Sequence, residues 1–291
     1  MNGNPFDLDD DDTYRRWRDD KLEHHPSSLD ELVVEVKDPR RLSDTEAEAL
    51  ARCIRRANMA IYAGRTGDEE DKDIVRALGR RFGLERLDHN MCADDDAISS
   101  LEQADTEPRT GYIPYTNRPI AWHTDGYYNE LDRQIFGLLL HCVRPAAEGG
   151  MNQLMDHEIA YIRLRDENPD YIRALQHPEA MCIPPNVVDG KELRGWRCGP
   201  VFMTTPDGSL HMRYTHRKRN IRWRDDPLTR EAVAFLGTLL TPDDPFVFQG
   251  TLQSGQGLIC NNVLHTRTGF EENSRRLLYR GRYFDRIRLP G

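Results

Sequence analysis

Ten histidines occur in this 291-residue chain, and two have a carboxylate two positions on: His123-Thr124-Asp125 and His177-Pro178-Glu179. At the end of a strand, residues i and i+2 share a face. A His-x-Asp placed there delivers a nitrogen and an oxygen to one point, as a metal requires. His177 is followed by proline in helical surroundings, which predicts a surface turn. A third ligand is available at His265, where the apolar run Leu258-Ile259-Cys260 passes into Asn261-Asn262-Val263-Leu264-His265. Two histidines and one carboxylate make the facial triad of non-haem Fe(II) oxygenases, which leaves three coordination positions open. Arg276 and Arg280 follow in a strand-like run, four apart and hence on one face. Buried arginines are costly unless anions pair with them. The two are either a solvated outer face or a clamp for a dicarboxylate, since a guanidinium binds a carboxylate through two parallel hydrogen bonds.

These residues need a scaffold. Leu32–Val36 reads as a strand. Ser43 and Glu46 have the spacing of a capping box, and Ala47, Leu50, Ile54 and Ala57 follow at helical intervals. Met59–Tyr62 reads as a strand and Asp73–Phe82 as a helix. From residue 112 short apolar runs alternate with Gly, Pro and Asn turns, which predicts strands at 120–124, 134–143, 152–155, 201–204, 210–215, 245–249, 257–260 and 276–284. Helices are expected near 156–166 and 229–240. The pattern is that of an α+β protein, with residues 31–291 as one domain. Residues 1–30, with Asp9–Asp12 and Pro26-Ser27-Ser28, are expected to be a flexible acidic segment.

Composition narrows the function classes. Charged residues make up 31% and the formal net charge is −9, which argues against nucleic-acid binding. The stretch Arg213–Arg224 is locally basic and reads either as a solvated hairpin or loop, or as an attractor of a carboxylate or sulfonate. No apolar run is long enough to span a membrane, and the N-terminus does not read as a secretory signal. Cys53, Cys92, Cys142, Cys182, Cys198 and Cys260 form no C-x-x-C pair, so reduced thiols and a cytoplasmic location are expected. Their wide, irregular spacings argue against a zinc site.

His123-x-Asp125, the distal His265, and arginines eleven and fifteen residues after it resemble the Fe(II)/2-oxoglutarate dioxygenases of the taurine dioxygenase (TauD/TfdA) superfamily. Tyr115–Gly126 is similar to that family's first metal segment and Asn262–Phe270 to its second. Glu148-Gly149-Gly150-Met151-Asn152 is similar to its Gly-Gly-x-Thr turn, with Asn152 where threonine is usual. The resemblance covers roughly residues 30–286. It implies a double-stranded β-helix (jelly-roll) core with flanking helices, and Fe(II) held by His123, Asp125 and His265. It further implies 2-oxoglutarate as cosubstrate, with Arg280 at its C5 carboxylate, Arg276 supporting the C1 end and Asn152 nearby. O2 would then hydroxylate a C–H bond of a small polar substrate such as an amino acid or sulfonate, releasing succinate and CO2. Asp125 stands where related halogenases carry a small residue, so halogenation is not expected. Asn117, Trp122, Tyr127 and Tyr128 flank the first metal segment and are candidate substrate contacts; the aromatic rings are either a wall for an ammonium group or ordinary core. The expected partner is a small-molecule substrate, with homo-oligomer formation left open. The competing classes are an O2-using metal enzyme without 2-oxoglutarate, which has no need of Arg280, and a non-enzymatic binding protein, which would have lost a ligand.

Overall fold

A computed structural model describes residues 3–89, 93–106, 109–188, 190–217 and 219–289. Cys92 and Lys218 lie outside the described residues. The chain is a mixture of helices and sheets, divided by its internal contacts into two compact units.

One unit comprises residues 26–121, 135–154 and 248–291. Its six-stranded sheet runs in the order Val33–Glu35, Met59–Ala63, Gln256–Cys260, Gly137–Arg144, Leu277–Tyr283 and Ser99–Leu101. The first pair is parallel and the rest antiparallel. Gly137–Val143 is buried at every position, as expected for a central strand covered on both faces. The helix Asp44–Ala57 packs on the strand Met59–Ala63. It begins with the anticipated capping box, in which the Ser43 side chain accepts from the Glu46 N–H and the Glu46 carboxylate accepts from the Ser43 N–H. It ends at Asn58 in the left-handed region, φ +56°, which asparagine tolerates better than most residues. A four-stranded sheet has the order Phe248–Gly250, Asn152–Met155, Leu264–Arg267 and Ile120–His123.

The other unit comprises residues 1–25, 122–134 and 155–247. It holds the helices Asp11–His24, His157–Glu167, Pro169–Leu175 and Pro227–Leu239. It also has a three-stranded sheet ordered Arg197–Gly199, Met181–Ile183, Arg222–Trp223, and two two-stranded hairpins.

The helix Asp11–His24 corrects the expectation of a flexible acidic N-terminus. Asp10 caps it by accepting from the Thr13 N–H, and Asp11 and Asp12 occupy its first turn, where negative charge is favourable to the helix dipole. The acidic run that suggested repulsion is a helix start. Lys21 is 6% exposed and its ammonium sits 2.6 Å from both Asp156 and Glu158. Burial alone pulls the Lys21 pKa down, but the two carboxylates outweigh it and leave it above the ordinary value.

The cysteine expectation is also corrected. Cys182 and Cys198 are joined by a disulfide, while Cys53, Cys142 and Cys260 are free and buried. The two bonded residues face each other in the antiparallel pair Met181–Ile183/Arg197–Gly199, a proximity that their sixteen-residue separation does not announce. The basic stretch is solvated at His216, Arg217, Arg219, Arg222 and Arg224, as expected, with Arg213 the exception. Arg213 is 1% exposed, its guanidinium donating to the carbonyls of Met181, Gly199 and Arg197. Burial, and secondarily the charge of Arg194, pushes its pKa down to about 10.

Candidate metal and cosubstrate site

The strand Ile120–His123 stops at His123, and Asp125 lies in the turn immediately after it. Gly126 makes that turn possible with φ +69°, a conformation open to glycine at no steric cost. The His123 and Asp125 side chains come within 3.7 Å. His265 is on the neighbouring strand Leu264–Arg267. One ligand atom from each of His123, Asp125 and His265 lies within 4.8 Å of the other two. The geometry therefore gathers the three residues singled out by spacing. His265 Nδ1 is 2.9 Å from the Val263 carbonyl. An oxygen acceptor there fixes the proton on Nδ1 and turns the Nε2 lone pair outward for coordination. The donor set, two imidazoles and one carboxylate, fits a divalent iron and leaves open positions.

Arg267 shares a strand face with His265 and is buried. Its guanidinium holds the carbonyls of Thr116 at 2.8 Å and Arg118 at 2.6 Å, tying down the chain that leads into the His123 strand. Burial, and then the nearby charge of Arg276, lowers its pKa to about 9.

Arg280 is 8% exposed and lies within the strand Leu277–Tyr283. Arg276 is 5% exposed and lies one residue before that strand, stacked on Phe270 with 5.2 Å between guanidinium carbon and ring centre. The solvated-face reading of the two arginines is thereby excluded. No carboxylate pairs with Arg276 among the described residues, and burial drives its pKa down to about 10. A buried cation in this state calls for an anionic ligand.

Asn152 is spent locally, its amide donating to the Thr266 carbonyl at 3.1 Å. Sequence reasoning missed Ser99. It faces Arg280 in the antiparallel ladder, so both side chains project to one side. Its hydroxyl is buried with no hydrogen-bond partner among the described residues. Only the strand register, absent from the sequence pattern, reveals that pairing.

The substrate candidates separate. Trp122 is buried and adjacent to His123 on one strand, so alternation directs it to the opposite face. Tyr127 presents a ring against His123 with centroids 6.4 Å apart, and Tyr128 packs on Tyr127 at 5.2 Å. Asn117 is half-buried, and its backbone carbonyl accepts from the Phe270 N–H. His177 accepts from the Glu179 N–H, a local turn as expected.

Two histidines and one carboxylate converging on a helix-and-sheet scaffold form the donor set of a non-haem iron oxygenase site. Comparison with known proteins gives the family: residues 22–282 match the Taurine catabolism dioxygenase TauD, TfdA family. The chain belongs to that family and is an oxidoreductase of the dioxygenase type. It is 30% identical over 193 residues to a uridine-5'-phosphate dioxygenase of Amycolatopsis sp, an alignment covering 64% of this chain and 67% of the relative. A Streptomyces sp protein of the same name is 28% identical over 56% of this chain and 60% of its own length. In fold it is similar to the non-heme iron oxygenase OrfP solved with Fe, succinate and (3R,4R)-dihydroxy-L-Arg. That match has a TM-score of 0.60, 15% identity, and coverage of 84% of this chain and 82% of the other. An asparagine oxygenase solved with Fe(II), 2S,3S-3-hydroxyasparagine and succinate has a TM-score of 0.55, 14% identity and 82% coverage of both chains.

Proposed function

We propose that this chain is an Fe(II)- and 2-oxoglutarate-dependent dioxygenase that hydroxylates an amino acid or a nucleotide, with His123, Asp125 and His265 as the iron ligands. The observation that carries the reading is the convergence of those three ligand atoms within 4.8 Å. Iron held there, with 2-oxoglutarate and O2, supplies oxidative decarboxylation to succinate and CO2 coupled to oxygen insertion into a substrate C–H bond.

The protein's own residues do the positioning. The Val263 carbonyl holds the His265 ring in the tautomer that ligates through Nε2. Asp125 would hold the iron where halogenases have a small residue, so a hydroxylated and not a chlorinated product is expected. Arg280 pairs with the far carboxylate of 2-oxoglutarate, with the Ser99 hydroxyl as a second donor on the same face. Arg276 supports the carboxylate at the metal end. Two substrate classes enter because relatives in sequence are named for uridine-5'-phosphate and neighbours in fold for hydroxylated asparagine and arginine.

We read the six- and four-stranded sheets as the two faces of a double-stranded β-helix, residues 31–291 as one catalytic domain, and the location as cytoplasmic. Among the described residues no helix is long and apolar enough to cross a membrane. The Cys182–Cys198 bond weighs against the cytoplasmic part, since structural disulfides are rare there. The test of function is anaerobic addition of Fe(II) and 2-oxoglutarate, followed by a substrate screen scored by succinate release. A visible charge-transfer band and substrate-dependent succinate are expected; absence of the band sinks the cosubstrate assignment.

A further inference from the structure

The residues 213–217 run antiparallel beside the first metal segment. The Thr124 N–H donates to the Tyr214 carbonyl at 3.0 Å, the His216 N–H to the Trp122 carbonyl at 2.7 Å, and His123 is bridged to Thr215. Two residues directly opposite in an antiparallel pair project to the same side. Thr215 therefore faces the side on which His123 meets Asp125. Its hydroxyl is buried and has no hydrogen-bond partner among the described residues. An extended chain returns to the same face two residues on, which brings Arg217 there. The contact partner of Arg217 bears this out: its guanidinium donates to the Tyr127 hydroxyl at 3.1 Å, and the Tyr127 ring rests against His123. No carboxylate pairs with Arg217 among the described residues.

Besides Asp125, the charged side chains named near this face are guanidinium groups. Arg213, two residues before Thr215, is buried, with its guanidinium donating to the carbonyls of Met181, Gly199 and Arg197. Arg194 lies over the Tyr128 ring at 5.8 Å. Elsewhere in the basic stretch Arg222 stacks on Trp196 and Arg224 meets Asp226 at 3.6 Å. Tyr127 and Tyr128 thus each meet a guanidinium group, Tyr127 through its hydroxyl and Tyr128 through its ring.

We propose that Arg217 and Thr215, with the Tyr127 hydroxyl alongside, form a subsite for a dianionic group of the substrate, a phosphate monoester. This rests on the dioxygenase reading above and selects the nucleotide over the amino acid. An arginine fork offers paired donors to phosphate oxygens. The fork of Arg217 and the hydroxyl of Thr215 together suit the several oxygens of a phosphate better than the two of a carboxylate.

The test measures equilibrium binding of uridine 5'-monophosphate, uridine, asparagine and arginine to the anaerobic Fe(II)/2-oxoglutarate protein by calorimetry, in wild type, Arg217→Gln and Thr215→Val. Wild type is expected to bind the monophosphate at least about tenfold more tightly than uridine, the worth of a charge-assisted contact. Arg217→Gln should erase most of that ratio while uridine and 2-oxoglutarate affinities hold. Thr215→Val should reduce it less. The proposal is overturned if wild type binds both uridine forms alike, if neither binds while an amino acid does, or if Arg217→Gln keeps the ratio. Loss of the 2-oxoglutarate band in wild type strikes the functional reading separately. The monophosphate-to-uridine ratio, measured on the same protein without metal, still decides the role of Arg217.

Discussion

The segment carrying His123 and Asp125 and the segment carrying His265 are supported in opposite ways. His265 sits on an interior strand of a four-stranded sheet. Its unit contributes Arg267, Arg276 and Arg280, all 8% exposed or less. His123 ends an edge strand, and Asp125 stands in a turn whose following residues, Tyr127 and Tyr128, meet the guanidinium groups of Arg217 and Arg194. The difference teaches a division of labour. On the proposed function, a fixed cosubstrate suits buried charges locked in or beside a sheet, where geometry cannot drift. A substrate that varies among related enzymes suits turns and flanking loops, which change without disturbing a core.

The largest effect expected is at the three proposed iron ligands. His123→Ala, Asp125→Ala and His265→Ala should each abolish turnover and most iron affinity, because a facial triad has no protein ligand to spare. The contrast between segments appears in stability: His265→Ala, with its Val263 hydrogen bond, should unfold at lower denaturant than His123→Ala. Equal unfolding midpoints would erase that contrast, and normal turnover in any variant would remove the ligand assignment.

The unit of the first segment relies on polar clusters that join distant stretches of chain. Lys21→Met should cost about 3–5 kcal/mol, since it removes the ammonium that meets the buried Asp156 and the half-buried Glu158. Burial raises the Asp156 pKa, but Lys21 outweighs it and holds the carboxyl below the ordinary range. A carboxyl depressed on folding adds stability above its unfolded value near 3.9, lost as pH falls through the lower folded value. Denaturant titrations at pH 7 and below pH 3 should therefore show the Lys21→Met penalty shrinking in acid.

In the second region, Arg280→Ala should raise the KM for 2-oxoglutarate about a hundredfold, as for a buried charge pair that loses one partner. Arg280→Lys should restore part of it, because an ammonium forms no bidentate pair. Arg276→Ala should do less, and a larger effect there would make Arg276 the main anchor. Arg217→Gln should leave this KM untouched; if it moves, the two regions are not separate in function.

What was legible in the sequence follows the same line. The Ser43–Glu46 cap, the helical spacing after it and the His-x-Asp motif are local signals, and each appears where the pattern put it. The helix Asp11–His24 was hidden because the aspartates that begin it read as repulsion, and because its anchor on Asp156 and Glu158 is more than a hundred residues away. The Cys182–Cys198 bond, the burial of Arg213 and the pairing of Ser99 with Arg280 depend on register between segments, which composition and period do not encode.

The smallest effect concerns Asn152, the residue that departs from the family's Gly-Gly-x-Thr turn. Resemblance assigns it to the cosubstrate, yet its amide donates to the Thr266 carbonyl one residue past His265, a bond that braces the second metal strand. Ser99, by contrast, has a buried hydroxyl across the ladder from Arg280, without a hydrogen-bond partner among the described residues. If Ser99 has taken over the cosubstrate contact, Ser99→Ala should raise the 2-oxoglutarate KM several-fold, the worth of one hydrogen bond to a charged group or somewhat less. Asn152→Ala should cost about 1 kcal/mol of stability and change that KM less than twofold. Asn152→Thr should lose the brace as well, because a threonine side chain is one atom shorter than the asparagine amide that reaches the carbonyl. Steady-state kinetics on the Ser99 and Asn152 alanine variants, paired with denaturant unfolding, separates the roles. A KM effect at Asn152 larger than at Ser99 returns the contact to the turn and leaves the Ser99 hydroxyl without an assigned ligand.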